Sequence, residues 1–527
     1  MAREINREVG AYGRAYVRPP MRADTIVVGA GSSGAVLASR ATEGGHREVL
    51  LLEAGPDYPH PDGVPADLRN GTRNSMRLHD WGQKHRPHPR SKLLFWFPRG
   101  RVVGGSSAVN TCIALRGQPH DYDEWASLGL RDWSWERCLP AFKRLENDLD
   151  VKSEWHSQQG PIPIRRHTPA EMAPWQAAFL EGCSALGFPR CDDSNDPTTT
   201  GAGPHAMNIV DGVRMSAARG YLDATVRRRP NLVIRPQTLV RRVLLRDRRV
   251  VGVEVETHGR VHTIASSRVV LCAGATSTPG ILLRSGLGPR AAVERLGVDL
   301  AVDLPAVGAR LLDHPGSAIF LRPRQPHRVP GRHFIQTVLR YTSRSGPRND
   351  MFLQAGSVVP HPWGELPLVS IMESVGKSYG RGTIEFTSPS PRATPRIESR
   401  LFVDEADRAR ALEAMALAVE LAQTPAMRAL ATFFWPPASV VTRKERLAEW
   451  LRRICDSSYH PCGTVPMGAD DASDAEAATD GRGRVRHLEG LWVADASLMP
   501  TIPSAHTNLT VLMMGERFGE WMRRGEM

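Results

Sequence analysis

A glycine-rich turn near the start of the chain constrains the fold more than any other feature of the sequence. The stretch DTIVVGAGSSGAVLASR (24–40) joins a short β-branched apolar run to a helical pattern, as expected for a buried parallel strand followed by a helix. Gly29, Gly31 and Gly34 stand between them at G-x-G-x-x-G spacing. In such turns the first glycine permits the sharp turn, the second lets a pyrophosphate approach the backbone, and the third lets helix and strand pack closely. The segment therefore predicts a βαβ unit that binds phosphates at a helix N-terminus.

A second apolar run, EVLLLEAG, supports this interpretation because it ends in a carboxylate, Glu53. An acidic residue about 20 positions after the glycines accepts hydrogen bonds from the ribose of a bound dinucleotide. A carboxylate there disfavours the 2′-phosphate of NADP. The unit itself does not separate FAD from NAD, but NAD(P)H-dependent flavoenzymes normally carry two glycine motifs. Only one good motif is present, since the partial one at 286–291 follows a helical pattern.

Charge and hydropathy exclude several classes of protein. The 527 residues carry a net charge of +12, but the basic residues form short clusters such as 227–230 and 241–249. No nucleic-acid-binding motif accompanies them, so we expect solvated surface charge and no nucleic-acid partner. No apolar run is long enough to form a transmembrane segment. Residues 1–21 lack the apolar core of a secretory signal and are expected to form a polar extension, with Met21 as an alternative start.

The seven cysteines are odd in number and scattered along the chain. This usage predicts free thiols in a cytoplasmic protein and no disulfide framework. Cys455, His460 and Cys462 are close in sequence, but no second ligand pair with matching spacing accompanies them, so no metal site is predicted. The sequence does not indicate an oligomeric state.

Two longer motifs give the chain a family resemblance. RGRVVGGSSAVNTCIALRG (99–117) places paired glycines before paired serines, a turn rich in donors for a diphosphate or a flavin edge. GATSTPGILLRSGLG (274–288) is the second motif, and a strand ending at Asp495 with a helix from about Asn508 closes the chain. Together these segments resemble the glucose–methanol–choline (GMC) oxidoreductases, FAD-dependent enzymes that oxidise alcohols. The resemblance covers almost the whole chain from residue 22.

The resemblance implies which residues surround a bound FAD. The backbone of Val240 would contact the adenine, and the pair Asp495–Ala496 would contact the flavin. Some relatives attach FAD covalently through a histidine just before the position of Asn110. Val109 stands there, so we predict a non-covalent FAD. The full predicted set is Gly29, Gly31, Ser32, Ser33, Gly34, Glu53, Ala54, Arg101, Val103, Gly104, Ser106, Ser107, Asn110, Thr111, Cys112, Ile113, Val240, Ala273, Gly274, Asp495, Ala496, His506, Thr507 and Asn508.

Two histidines, in the segments YHPCGT and SAHTN, complete the implied site. By resemblance His460 lies over the flavin and His506 takes the second active-site position. Alcohol oxidation removes a hydride, which the flavin accepts, and a proton, which a neutral imidazole can accept. We expect His460 to be the general base and His506 to donate a hydrogen bond to the developing alkoxide, although the two roles could be exchanged. On local sequence alone, an inert loop histidine explains His460 better than a catalytic one does.

The predicted fold class is α/β (α+β overall), in four parts. Residues 1–21 form the N-terminal extension. Residues 22–315 form a Rossmann-like FAD-binding domain with inserted antiparallel strands and a substrate-domain insertion at about 151–200. Residues 316–454 form a sheet-and-helix substrate-binding domain, and 455–527 return to the FAD domain with both histidines. The antiparallel strands are predicted in the apolar runs 231–236, 239–245, 250–256 and 268–274.

The leading functional prediction is FAD-dependent oxidation of a small-molecule alcohol to an aldehyde or ketone, with oxygen or another electron acceptor. The sequence does not separate an oxidase from a dehydrogenase, and it leaves the alcohol open. Choline is not favoured, because no aromatic cage with a nearby carboxylate is evident. A hydroxynitrile lyase on the same fold is the alternative, and a non-catalytic flavoprotein is a third reading. The aromatic segment 78–100 lines the substrate entrance or packs on the core.

Overall fold

Two large sheets organise the part of the chain that the structure describes. The structure is a computed structural model that describes residues 22–325, 329, 331–361 and 363–527; the predicted extension 1–21 lies outside these ranges. Within them no helix has the length and apolar character needed to cross a bilayer. The predicted mixed α/β fold is confirmed.

The first sheet is parallel and holds the predicted phosphate-binding turn. Four of its strands are buried along their whole length, which explains their continuous apolar sequences. The helices Ser32–Ala41 and Thr507–Arg524 pack closely against each other, since a Cβ on Gly515 would lie 2.8 Å from Val36 Cβ. The five strands, in spatial order, are Leu232–Arg235, Val49–Leu52, Thr25–Val28, Val269–Leu271 and Leu491–Val493.

The antiparallel insertion is smaller than predicted. Of the four predicted runs, 239–245 and 250–256 pair antiparallel, within Thr238–Arg246 and Arg249–Thr257, and a third strand that was not predicted, Arg260–Ala265, pairs antiparallel with Arg249–Thr257. The prediction was wrong for the outer two runs, because Leu232–Arg235 and Val269–Leu271 pair in parallel with strands of the first sheet. Tight turns account for the difference. Asp247 and Arg248 both have positive φ, as a two-residue hairpin requires, whereas the outer runs have no such turn to an antiparallel neighbour.

The second large sheet is antiparallel and belongs to the predicted substrate-binding domain. Its strands, in spatial order, are Ala431–Trp435, Pro315–Pro323, Val369–Val375, Met351–Gly356, Thr337–Tyr341 and Gly201–Pro204, with Asp456–Ser457 added beside Pro315–Gly316. Its apolar core includes residues of the helices Pro174–Ala185 and Glu405–Gln423.

The predicted domain boundaries stay predictions, but two strands of the second sheet come from outside the predicted substrate-binding domain. The sheet takes one strand from just beyond the predicted insertion, Gly201–Pro204, and one from the predicted return segment, Asp456–Ser457. The chain therefore crosses between the two sheets several times. The segment before Pro315 and the segment after Ser457 leave the second sheet together, since Leu312 and Cys462 exchange backbone hydrogen bonds and Gly463 N donates to the carbonyl of Ala496.

Smaller elements complete the architecture. Thr383–Glu385, Arg396–Glu398, Lys84–Arg86 and Phe95–Trp96 form a four-stranded sheet. Two-stranded pairs are Glu146–Asp148 with Ile162–Ile164, Ile209–Val210 with Val213–Arg214, Leu287–Gly288 with Val302–Asp303, and Val359–His361 with Gly364–Leu366. The remaining α-helices are Ala66–Arg69, Pro119–Ser127, Trp135–Leu145, Ala217–Tyr221, Ala224–Arg227, Thr278–Arg284, Arg290–Arg295, Pro425–Leu430, Ala438–Val441 and Lys444–Arg453. The 3₁₀ turns are Pro61–Gly63, Gly105–Ala108, Arg131–Trp133, Pro169–Glu171 and Ala496–Leu498.

Candidate active site

The glycine-rich turn has a different steric reason for each glycine. Gly29 has φ +98°, and Gly34 packs so closely that a Cβ there would lie 1.9 Å from the carbonyl oxygen of Gly29. Gly31 has ordinary φ −78°, and the nearest atom to a Cβ there would be Gly105 Cα, at 3.8 Å. The protein itself therefore leaves room for a side chain at Gly31. This open space belongs to a cavity lined by the turn, as expected where a pyrophosphate approaches the backbone.

The side chain of Glu53 is hydrogen-bonded to the same turn. Its carboxylate accepts hydrogen bonds from the amides of Ala30 (3.0 Å) and Gly55 (2.8 Å). Burial raises the pKa of Glu53 to about 7, against the opposing effect of these amide bonds. Glu53 also lines the cavity. A ribose contact for this residue stays a prediction.

One long cavity runs from the glycine-rich turn to the two histidines and collects most of the predicted residues. The second motif joins the C-terminal strand at its wall, because the Asp495 carboxylate accepts hydrogen bonds from Gly274 N (2.8 Å) and Thr278 Oγ1 (2.6 Å). The predicted residues on the wall are Gly29, Gly31, Ser32, Ser33, Glu53, Ala54, Ser106, Asn110, Thr111, Ile113, Val240, Ala273, Gly274, His460, Asp495, Ala496, His506, Thr507 and Asn508.

The other predicted cofactor residues lie behind the wall: Gly34, Arg101, Val103, Gly104, Ser107 and Cys112. Several of them shape the turns that carry lining residues. Gly104 has φ +104°, and the Ser107 hydroxyl donates to its carbonyl (2.6 Å) while accepting from Ala217 N (2.9 Å). Direct contact of these six residues with FAD stays a prediction.

The cavity wall also contains polar atoms that no motif indicated. Asn74 Oδ1 and Gln83 Oε1 are buried without a hydrogen-bond partner among the described residues, and both residues line the cavity. Buried acceptors are rarely left unpaired in a folded protein. They and the open glycine turn fit a polar nucleotide cofactor. The aromatic segment 78–100 thus contributes to the wall through Trp81, Gln83 and Arg99, while its Phe97 is buried in the core.

His460 and His506 face each other at one end of this cavity. Their ring centroids are 4.8 Å apart and the ring planes cross at 76°. His506 is buried and stacks on Phe352 (5.5 Å, 24°), whereas His460 is only half-buried and lines the cavity. Burial lowers the pKa of His506 to about 3, and burial together with the neighbouring histidines holds the pKa of His460 well below 6.5. Both imidazoles are therefore neutral near pH 7.

A third histidine, His314, contacts His460 directly. His314 Nδ1 lies 2.9 Å from His460 Nδ1, and His314 Nε2 lies 3.0 Å from the carbonyl oxygen of Pro503. The preceding residue, Asp313, accepts hydrogen bonds from the backbone amides of both His314 and His460, each at 2.9 Å. The sequence analysis did not single out these two residues, although the Asp-His pair in VGARLLDHP (307–315) is an available signal.

His506 has polar neighbours of its own. The side-chain nitrogen of Gln354 lies 3.4 Å from His506 Nε2 and 3.0 Å from His205 Nε2. An amide nitrogen donates, so His506 Nε2 accepts in this arrangement and Nδ1 carries the proton. His506 Nδ1 has no partner among the described residues. Because His506 lines the cavity, this arrangement leaves its proton available for a hydrogen bond to a ligand.

The sequence neighbours Cys455, His460 and Cys462 do not form a metal-binding group. Among the described residues, the close group of three with suitable ligand atoms is Glu146, Asp148 and His156, which belongs to a different part of the fold. All seven cysteines are buried and unpaired.

The fold and the cavity together are those expected of a dinucleotide-binding protein, with two neutral imidazoles at one end of the cavity. Comparisons with known proteins give the family. The models of the N- and C-terminal domains of GMC oxidoreductases match residues 23–316 and 378–515. The chain therefore belongs to the GMC oxidoreductase family, whose cofactor is FAD.

Individual relatives cover nearly the whole chain. A 5-(hydroxymethyl)furfural oxidase from Methylovorus sp. is 33% identical over 94% of this chain and 98% of its own. An oxygen-dependent choline dehydrogenase from Photobacterium profundum is 29% identical over 94% and 92%. The crystal structure of pyridoxine 4-oxidase from Mesorbium loti superimposes with a TM-score of 0.87 at 27% identity, over 94% of this chain and 98% of that one.

Proposed function

We propose that this enzyme oxidises the hydroxymethyl group of a neutral aromatic alcohol, with His460 accepting the hydroxyl proton and His506 stabilising the alkoxide. The observation that carries the proposal is the pair of neutral imidazoles, 4.8 Å apart, at one end of the cofactor cavity. FAD, when bound, supplies the hydride acceptor. The protein must supply the proton acceptor, and a positioned general base contributes typically about 10²–10⁴-fold in rate.

The charge of the cavity supports a neutral substrate. Glu53 and Asp495 are the acidic residues on its described wall, and both carboxylates already accept hydrogen bonds from backbone amides. Each of these carboxylates is thus already partnered by the protein. A choline site would need a carboxylate or an aromatic cage to compensate the cation, so we place choline outside the substrate class despite the choline-oxidising relatives.

Apolar packing beside the histidines supports an aromatic substrate. Ile113 lines the cavity and packs in one buried cluster with Phe334, Ile335 and Val358. Ala505, the neighbour of His506, belongs to the same cluster. Apolar walls with a few converging polar groups are typical of sites for small ring compounds. The relative named for 5-(hydroxymethyl)furfural has this type of substrate.

Anaerobic stopped-flow spectroscopy of the FAD-loaded protein tests the proposal. We expect 5-(hydroxymethyl)furfural and benzyl alcohol to bleach the oxidised flavin band, and choline at matched concentration to leave it unchanged. Bleaching by choline alone would overturn the substrate class. No bleaching by any alcohol would overturn the oxidation itself and return the hydroxynitrile lyase reading.

The electron acceptor is tested in the second half of the cycle. We propose oxygen as the acceptor, because the relatives named above are oxidases or oxygen-dependent. The experiment mixes dithionite-reduced holoenzyme with air-saturated buffer and follows the flavin band. Recolouring as fast as catalytic turnover supports oxygen. Recolouring far slower than turnover assigns the enzyme to the dehydrogenases.

A further inference from the structure

The hydrogen bond between His314 and His460 has a defined donor and a defined acceptor. The Pro503 carbonyl oxygen can only accept a hydrogen bond, so His314 Nε2, 3.0 Å away, must carry a proton. A neutral imidazole has one N–H, which leaves a lone pair on His314 Nδ1. That lone pair is 2.9 Å from His460 Nδ1. Two lone pairs cannot share a hydrogen bond, so His460 Nδ1 must donate.

We infer that His314 is a positioning residue, which fixes His460 as the Nδ1–H tautomer and so makes His460 Nε2 the proton acceptor. This inference rests on the proposed function and deepens it, because it decides which histidine and which nitrogen is the base. His460 Nε2 has no hydrogen-bond partner among the described residues, and the residue lines the cavity. The tautomer of a histidine is set by the hydrogen bond that its other nitrogen makes.

The proton balance of the step follows from this tautomer. The alcohol O–H bond breaks, its electron pair stays on the oxygen, and the proton forms a new N–H bond at His460 Nε2. The resulting imidazolium still donates from Nδ1 to His314, and a hydrogen bond from a charged donor is stronger than one from a neutral donor. His314 therefore stabilises the protonated base as well as orienting the neutral one. Burial lowers the pKa of His314 to about 4, so it remains a neutral acceptor.

The backbone holds the two rings in this register. Asp313 binds the amides of both histidines through one carboxylate oxygen. Ser458 N donates to the carbonyl of His314 (3.0 Å), and Leu312 and Cys462 exchange two backbone hydrogen bonds of 2.9 Å. The segments around residues 312–316 and 456–462 thus run antiparallel, and these bonds fix the backbone positions from which the two rings meet.

Two substitutions of His314 separate hydrogen bonding from packing. His314→Phe keeps a ring beside Phe352 and removes both nitrogens. His314→Asn is smaller, but its side-chain oxygen occupies a position close to Nδ1 and can accept from His460 Nδ1. In stopped-flow reduction by benzyl alcohol we expect His314→Phe to lower the limiting rate by about 10- to 100-fold, as removal of an orienting partner does at other histidine sites. The alcohol concentration at half-maximal rate should not change.

His314→Asn is expected to recover most of the limiting rate. A packing role predicts the opposite order, with the larger Phe better tolerated than Asn. Equal rates in wild type and His314→Phe would overturn the inference, and so would a slower His314→Asn than His314→Phe. Flavin content and thermal midpoint of each variant are measured in parallel, and a loss confined to those readouts also counts against a positioning role.

A spectroscopic readout tests the inference without turnover. Long-range ¹H–¹⁵N spectra of the ¹⁵N-histidine-labelled holoenzyme distinguish Nδ1–H from Nε2–H rings, and the His460 signals are those missing from His460→Asn. We expect an Nδ1–H ring for His460 in wild type and in His314→Asn, and a shift toward Nε2–H in His314→Phe. An Nε2–H ring in wild type would overturn the inference. If no alcohol reduces the flavin, the proposed function fails, while these spectra still decide the tautomer.

Discussion

At the scale of single residues, burial sets the charge of the candidate catalytic groups. Burial, the neighbouring histidines and the cationic side chains of Arg99 and Arg340 disfavour the protonated forms of His460 and His506. A base is useful only while it is unprotonated. The local environment therefore extends the range of pH over which the site can accept a proton.

This environment predicts that the limiting rate of flavin reduction begins to fall at a lower pH than an ordinary histidine base would give. A pKa below the ordinary histidine value of 6.5 means that His460 stays neutral as the pH falls through 6.5. We expect the limiting rate of flavin reduction to remain on its plateau there and to fall only at lower pH. Stopped-flow reduction at saturating alcohol, over a series of buffers at constant ionic strength, measures this. A midpoint at the ordinary histidine value would contradict the prediction.

A second prediction at this scale concerns the flavin linkage. Val109 is buried and lines the cavity just before Asn110, and its side chain has no nucleophilic atom. We therefore expect the FAD to be non-covalent and to appear in the supernatant when the holoenzyme is precipitated with acid. The absorbance spectra of pellet and supernatant check this. A yellow pellet would show the prediction to be wrong.

Residues with a motif could be predicted from sequence, whereas their partners could not. His460 and His506 each sit in a short segment that resembles a family signature. His314 lies 146 positions before His460, and the two meet only because strands of the second sheet bring their segments together. Gln354, on the strand Met351–Gly356 of the second sheet, lies 152 positions before its neighbour His506. Pairing between distant segments is set by tertiary packing, which local sequence patterns do not indicate.

At the scale of elements, two glycines of the glycine-rich turn have different reasons to be glycine, one in folding and the other in cofactor binding. A Cβ at Gly31 would make only ordinary contacts within the protein, while one at Gly34 would clash with the Gly29 carbonyl at 1.9 Å. Gly31 thus has no structural reason to be glycine unless something occupies the adjacent cavity. The turn provides this evidence without any ligand in place.

Two alanine variants test that distinction. We expect Gly31→Ala to keep the thermal midpoint of the apoprotein and to lose most of its FAD, because the methyl group takes space needed by the pyrophosphate. We expect Gly34→Ala to be destabilised by about 1–3 kcal/mol through overpacking. Gly63→Ala is a matched control, since a Cβ there meets nothing within 4 Å. Full FAD content in Gly31→Ala would contradict the assignment of this turn.

Strand direction shows where element prediction succeeds and fails. The strands at 25–28 and 49–52 were placed correctly because a continuous apolar run beside a helical pattern is typical of a parallel sheet. The runs at 232–235 and 269–271 have similar composition, and only their partners decide their direction. Short apolar runs are ambiguous when no tight turn marks a hairpin.

At the scale of the whole molecule, a buried ionic cluster lies near the start of the predicted insertion. His156 Nε2 is 2.8 Å from Asp193, and its Nδ1 is 3.1 Å from both Glu146 and Asp148. Arg166 binds Asp148 and Asp193, and a second arginine, at position 116, binds Glu146. Three carboxylates are therefore balanced by three cationic side chains, with no need for a metal ion.

The cluster predicts loss of stability at alkaline pH. Although burial opposes it, hydrogen bonding to the three carboxylates raises the pKa of His156 from 6.5 to about 10. Because the pKa of His156 is raised in the folded state, its ion pairs stabilise the folded protein fully below pH 6.5, and this stabilisation is lost as the pH rises toward about 10. We expect His156→Gln to have a lower thermal midpoint than wild type at neutral pH and a smaller decrease on going above pH 10. Thermal unfolding of the holoenzyme across this pH range measures both.

The control for that experiment is His487→Gln. His487 also pairs with a carboxylate, Asp474, but its side chain is 46% exposed. An exposed ion pair contributes little to stability, so this variant should follow the wild-type curve. A His156→Gln curve parallel to wild type would show that the cluster does not titrate as described.

The whole molecule places its site where the two large sheets meet. The phosphate-binding turn belongs to the first sheet, and the segments carrying His314 and His460 continue from the second. The family, the cofactor and the end of the chain that carries the histidines were predictable because each rests on contiguous motifs. The place where the two large sheets meet was not predictable from sequence, because it depends on strands that come from both sides of the predicted domain boundaries.

The measurement that tests the central claim most directly is anaerobic flavin reduction in FAD-loaded His460→Ala. The account predicts full FAD content and a rate of reduction by benzyl alcohol that is lower by about 10²–10⁴-fold, the usual contribution of a general base. His487→Ala, a change at an exposed histidine, should reduce at the wild-type rate. A His460→Ala variant that binds FAD and reduces as fast as wild type would contradict the account.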